Sequence, residues 1–156
     1  MTLRDRLALA AAALWWGSAV AVGAWVVPLL FLHLATPAQA GQMAARLFAA
    51  QTWVAVACGL VILMALRPRE AAGPGSLPPR AQLTLAWVAG GMLLALMLEF
   101  GVAPRILARQ DLRLWHSVGT GLYALQAVAA GVAWWRLAGA GGPSRPAPGV
   151  SPGAPS

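Results

Sequence analysis

An uncharged apolar run that ends in a glutamate, QLTLAWVAGGMLLALMLE, occupies residues 82–99. Its first seventeen residues carry no charge, and the eighteenth is Glu99. A helix of this length crosses most of the apolar core of a bilayer, which is about 30 Å thick. A carboxylate at the bilayer centre costs about 2.5–3.5 kcal/mol on insertion scales, so such residues usually face the interior of a helix bundle. The stretch therefore predicts a membrane helix with a polar partner for Glu99.

The composition agrees with a membrane protein. Sixty per cent of the residues are hydrophobic and 10% are charged, whereas soluble domains carry about 25% charged residues. The net charge of +7 comes from arginines at the ends of apolar segments, where they orient membrane helices. We therefore expect a lipid bilayer, and no nucleic acid, as the partner. The Arg-only, Ala-, Gly- and Pro-rich composition is typical of a high-GC bacterial genome, which favours the inner membrane.

Four apolar segments predict an all-α integral membrane protein, a four-helix bundle with helices over 7–34, 43–66, 81–107 and 112–137. Residues 1–138 form this domain, and the Pro/Gly-rich residues 139–156 predict a disordered tail. The first segment could also be a signal peptide with a cleavage site ending at Ala24. It runs on without a polar break through WVVPLLFL, which favours a membrane helix with a kink at Pro28.

Arginine counting predicts the orientation. Seven arginines fall on one side of the predicted membrane and four on the other, which predicts both termini in the cytoplasm. The larger group is Arg4, Arg6, Arg67, Arg69, Arg80, Arg136 and Arg145, and the smaller is Arg46, Arg105, Arg109 and Arg113.

The two halves of the chain resemble each other. WVVPLLF in the first helix resembles EFGVAPRIL in the third, and the second and fourth helices align if Arg46 is set against Arg113. Two hairpins that insert in the same sense would form a parallel repeat about an axis along the membrane normal.

A polar core is predicted around Glu99. His116, Thr120 and Tyr123 share one face of the fourth helix by their i, i+4, i+7 spacing. Helical side chains lean toward the N-terminus, so Glu99 leans deeper and Tyr123 leans back toward the surface. We expect Tyr123 to be the nearest donor to Glu99 and Thr120 the second. The core is either a proton or cation site or a structural hydrogen bond, and the sequence leaves both open.

The two histidines suggest an alternative function. His33 and His116 should both lie near the outer leaflet, and two histidines on facing helices could bind haem iron or copper. Otherwise they are interfacial residues that bond to water or backbone. The single cysteine, Cys58, excludes an intramolecular disulfide and a cysteine-based zinc site.

No hydrolase, kinase, dinucleotide, HExxH or CxxC motif is present, so no catalytic residue is assigned and we expect a non-enzymatic protein, transporter-like or an assembly partner. Small residues at i, i+4 allow close helix contacts and homo-oligomers. These pairs are Gly17 and Ala21, Ala86 and Gly90, Ser117 and Gly121, and Ala127 and Gly131.

Three motifs, in order, carry a family resemblance. They are WWGSAVAVGAWVVPLLF (15–31), APRI (103–106) and LWHSVGTGLYALQ (114–126). With this order and spacing, the chain resembles the transmembrane protein 205-like family, a domain of unknown function. Trp115 departs from the phenylalanine or glycine context that the family has before the histidine. The resemblance implies a four-helix membrane protein and no established reaction.

Overall fold

Four helices make up the fold in the computed structural model, which describes residues 1–67 and 79–139. They are α1 (Leu3–His33), α2 (Pro37–Ala65), α3 (Pro79–Leu107) and α4 (Leu112–Gly139). No strand occurs in these ranges, so the predicted all-α class is confirmed. Residues 68–78, which lie between the predicted second and third helices, and the predicted tail from residue 140 onward lie outside the described residues.

Three of the helices are long and apolar enough to cross a membrane. Within them, stretches of 18 residues reach mean hydropathies of 1.7 in α1, 2.1 in α2 and 1.9 in α3. Helix α4 is 28 residues long but is not apolar enough to be counted with these three, because Thr120, Gln126 and several glycines interrupt its apolar residues. The chain is therefore a helical protein with three clear candidate membrane spans.

Short polar residues fix the helix starts. Thr2 and Asp5 form a capping box at α1, with Thr2 N donating to Asp5 Oδ2 at 2.7 Å. Thr36 Oγ1 accepts from Gln39 N at 3.2 Å, and Pro37 takes the first position of α2. The second helix thus begins at Pro37 and not at the predicted residue 43, because this cap and proline start the helix within the expected turn.

The four helices form a ring in chain order. Each of α1, α2, α3 and α4 packs against the two that neighbour it in this order, and α4 closes the ring against α1. Residues 34–36 and 108–111, which join the helices of each hairpin, lie at one end of the bundle, called here the turn end. The buried core is mostly alanine, with Trp15 and Ile62 as its largest apolar side chains, so the helices can approach closely.

Two helices contain a π-helical segment before a proline. Ala21–Val26 in α1 and Met97–Val102 in α3 are π-helical, and Pro28 and Pro104 follow each segment at the same distance. A proline lacks the N–H that would continue the α-helical hydrogen bonds, and a local π-turn is one way to accommodate it. The kink predicted at Pro28 stays a prediction; the structure has a π segment before this proline, and a second one before Pro104.

Candidate functional site

Glu99 lies inside the π segment of α3. Its side chain is half-buried, and no hydrogen bond or ion pair to it is formed by the residues that the structure describes. The neighbouring residues of α3 are apolar. The carboxylate therefore sits within an apolar helix without a protein group that neutralises it among residues 1–67 and 79–139.

The residues one turn to either side of Glu99 show which way it faces. Ala95 is fully buried, and its carbonyl accepts a hydrogen bond of 3.5 Å from Thr52 Oγ1 on α2. Val102 is 4% exposed and lies against Gly119 of α4. Glu99 lies four residues after Ala95 and three before Val102, and its own side chain is half-buried. This position favours the edge of the interior between α2 and α4.

Tyr123 does not pair with Glu99. Its hydroxyl donates to the carbonyl oxygen of Ala19 on α1 at 2.9 Å, and its ring meets Phe48 of α2 edge-on with centroids 4.9 Å apart. The predicted contact is wrong because Gly23 has no side chain: a Cβ there would come within 2.7 Å of Tyr123 Cε1. The gap at Gly23 admits the ring toward α1 and away from α3.

The other two members of the predicted polar stripe lie outside the bundle interior. His116 and Thr120 are both exposed, whereas Tyr123 is half-buried. The turn-end part of α1 packs against α2, so the first turns of α4 lie mainly along the end of α3. There Trp115 stacks under the guanidinium of Arg105, 4.5 Å from its ring centroid. The structure therefore brings Tyr123 into the interior but not His116 or Thr120.

The predicted haem or copper ligands are exposed. His33 is the last residue of α1 and His116 lies in the second turn of α4, and both imidazoles are open to the surroundings. No group of three or more His, Cys, Asp or Glu side chains that could hold a metal ion occurs in the described ranges. The histidine site stays a prediction.

A buried polar layer on α2 was missed by sequence reasoning. Gln51 and Thr52 are 3% and 4% exposed. Gln51 Nε2 donates to Ser18 Oγ at 3.1 Å, and Ser18 Oγ donates to the carbonyl of Trp15 at 3.1 Å. The signal was available, since an adjacent Gln–Thr pair in an otherwise apolar membrane helix is expected to face other helices.

Two further buried donors lie near this layer. Trp15 Nε1 and Gln126 Nε2 have no acceptor among the described residues, although their side chains are 0% and 1% exposed. Buried donors without an acceptor are uncommon and costly. The interior of this bundle is therefore more polar than its alanine-rich composition indicates.

Most glycines of the predicted small-residue pairs do not serve contacts within the chain. A Cβ at Gly17, Gly90 or Gly121 would meet no atom within 4 Å, whereas at Gly131 it would lie 2.9 Å from Trp16 Nε1. Only Gly131 of these four packs closely against another helix of the bundle, and self-association through the other three stays a prediction.

No curated protein and no solved structure matches the chain significantly. A family model described as "Domain of unknown function (DUF4149)" matches residues 10–114. The match includes the motifs in α1 and at the end of α3 and stops as α4 begins, so most of the predicted LWHSVGTGLYALQ motif lies beyond it. Because the match covers more than half of the sequence, the chain belongs to this family of domains of unknown function.

Proposed function

We propose that this chain is a non-enzymatic, multi-pass membrane protein that binds and releases a proton or another small cation at Glu99, in the manner of a transporter. One observation carries the proposal: Glu99 is half-buried in an apolar helix and has no neutralising partner among the described residues. An isolated carboxylate in an apolar medium is unstable unless it is neutralised. Binding a proton or a cation achieves that neutralisation reversibly.

The local backbone supports this role. Glu99 lies in the π segment Met97–Val102, and π-turns in α-helices are frequent at functional sites. In transporters, irregular backbone in membrane helices lines binding sites, because its carbonyl groups are not all used by the helix. Glu99 combines the acidic side chain and the irregular backbone at one position.

On this proposal the protein lies in a bacterial inner membrane with both termini in the cytoplasm. The arginine distribution supports this orientation, and it puts Glu99 in the outer half of the bundle. The resemblance to the transmembrane protein 205-like family also belongs to the proposal. The exposed imidazoles of His33 and His116 supply no observation in favour of a haem or copper protein.

The test measures cation-linked stability. A ligand that binds the folded state raises its stability with concentration, by about 2.7 kcal/mol at one hundred times the dissociation constant. Purified protein in detergent is melted across a pH series at constant salt and across a sodium series at constant pH. We expect the wild type to respond to one series, Glu99→Gln to lose that response while staying folded, and Thr120→Val to keep it because Thr120 is exposed.

An equal response of the wild type and Glu99→Gln would refute the proposal. Crosslinking of both proteins in the membrane examines the assembly role. A loss of crosslinked dimers on Glu99→Gln, without any cation response in the wild type, would instead identify Glu99 as a contact to a second copy.

A further inference from the structure

The two halves of the chain bury equivalent positions. In α1 and α3 the buried residues before the π segments are separated by a constant 76 residues, and Pro28 and Pro104 have the same separation. The buried sets are Ala8, Ala12, Trp15 and Ala19, and Thr84, Val88, Gly91 and Ala95. A constant separation over four positions and a proline indicates that α3 repeats α1.

Helices α2 and α4 show the same relation at a separation of 71 residues. Their matching buried sets are Ala55, Cys58, Gly59 and Ile62, and Gln126, Ala129, Ala130 and Ala133. This register sets Thr52 against Tyr123. The alignment by buried positions differs by about one helical turn from the alignment of Arg46 with Arg113. The buried positions recur in both helices at a constant separation, whereas the two arginines do not share that separation.

Contacts between the helices follow the repeat. Tyr123 on α4 donates to the carbonyl of Ala19 on α1 at 2.9 Å. The Thr52 hydroxyl on α2 donates to the carbonyl of Phe48 on its own helix at 3.2 Å and shares this proton with the carbonyl of Ala95 on α3, at 3.5 Å. The two donors are equivalent positions, and so are the acceptors Ala19 and Ala95. Trp15 and its equivalent, Gly91, touch each other, as expected for residues on a twofold axis through the bundle.

The equivalent of Gly23 is Glu99. In the first half, a Cβ added at Gly23 would point at the ring of Tyr123 and would lie 2.7 Å from its Cε1 atom. By the same rotation, the side chain of Glu99 leads toward Thr52. Tyr123 lies over Gly23, and by this relation Thr52 is the residue expected to lie over Glu99.

We infer that Thr52 and Glu99 face each other without a direct hydrogen bond and that their oxygen atoms line a site for a hard cation, either a proton or a sodium ion. The Glu99 carboxylate, the Thr52 hydroxyl and the Ala95 carbonyl supply oxygen atoms only, which suits hard cations and not copper or other soft metals. The identity of the ligand rests on the proposed function, whereas the contact of Thr52 with Glu99 rests on the repeat alone.

A double-mutant cycle tests the contact without reference to function. Thr52→Tyr places a ring against Glu99 and should lower the melting temperature. Glu99→Gly in the same chain rebuilds the arrangement of the first half and should restore most of the loss. Thr120→Tyr is the control, since Thr120 is exposed and its effect should not depend on Glu99→Gly. If Thr52→Tyr lowers the melting temperature equally in the wild type and in the Glu99→Gly variant, Thr52 does not contact Glu99.

A second arm tests the ligand with Thr52→Val, which keeps the side-chain shape and removes the hydroxyl. The probes are sodium chloride at constant pH and a pH series at constant sodium, read out as the melting temperature. For sodium we expect the concentration at the midpoint to rise about tenfold, because one oxygen ligand is lost. For a proton we expect the proton concentration at the midpoint to fall, because the hydroxyl stabilises the ionised carboxylate and its loss favours the protonated form. A sodium response identifies the ion as sodium, and a response to pH alone identifies a proton.

The two failures are distinguishable. An unchanged midpoint in Thr52→Val would overturn Thr52 as a ligand even if Glu99 binds a cation. A wild type without any cation response would overturn the proposed function and the ligand, while the double-mutant cycle would still decide the contact.

Discussion

Adjacent glycines on α3 allow one packing argument to be tested quantitatively. A Cβ added at Gly91 would lie 2.8 Å from Trp15 Cη2, 3.0 Å from Trp15 Cζ2 and 3.2 Å from the Cβ of Ala129. Both neighbouring residues are buried, since Trp15 is 0% exposed and Ala129 is 2% exposed, so neither side chain can turn out of the bundle to make space for the added Cβ. A Cβ at Gly90 would meet nothing within 4 Å. The substitutions Gly91→Ala and Gly90→Ala thus differ in packing alone.

The expected magnitude follows from two opposing terms. Replacing a mid-helix glycine by alanine gains about 0.5–1 kcal/mol in soluble helices. Overpacking a well-packed interior costs about 1–3 kcal/mol. Gly90→Ala should therefore stabilise the protein slightly, and Gly91→Ala should be less stable than Gly90→Ala by about 1–3 kcal/mol, because the helix-propensity term cancels between the two variants.

Equilibrium unfolding in mixed detergent micelles, monitored by helical circular dichroism, would measure the difference. Trp15→Phe removes the far edge of the indole ring and should recover part of the stability lost in Gly91→Ala. If Gly91→Ala is as stable as Gly90→Ala, then Trp15 does not pack against Gly91, and the twofold relation between α1 and α3 loses its central contact.

Three other predictions concern polar groups and orientation. Tyr123→Phe removes the hydroxyl that donates to Ala19 and should cost about 0.6 kcal/mol, the average for such bonds in a membrane protein; a loss far above this in the same unfolding assay would mean that the hydroxyl has a second role. Gln126→Met keeps the volume and removes a buried donor that has no acceptor among the described residues, so unfolding should show no loss of stability, and a clear loss would reveal an unrecognised partner of the amide. A periplasm-active reporter should be active when fused near Gln39 and silent after Leu137, and the reverse result would invert the orientation.

The number of helices and most of their ends could be predicted from the sequence. Long apolar runs bounded by arginine and proline leave few alternatives for a chain that must satisfy its backbone hydrogen bonds in lipid. The start of α2 was predicted six residues late because Pro37 and Gly41 suggested a turn over residues 33–42. The Thr36–Pro37 pair was the better signal, since a threonine cap followed by proline is typical of a helix start.

The partner of a buried polar residue was harder to predict, because periodicity gives the face of a helix but not the space opposite it. The spacing of Tyr123 predicted the face of α4 on which it lies, yet the gap above Gly23 decides which helix its hydroxyl reaches. That gap is visible in the sequence only when the halves are aligned by buried positions. At equivalent positions the two halves then differ in side-chain size. Trp15 contacts its equivalent, Gly91, across the axis, and Gly23, against which Tyr123 packs, is equivalent to Glu99. A duplicated bundle cannot place two large side chains at one shared level, so the exchange of large and small residues is expected at its interior. If the repeat places Thr52 opposite Glu99, as we infer, an acid is accommodated in the second half because a threonine, and not a second tyrosine, occupies that position.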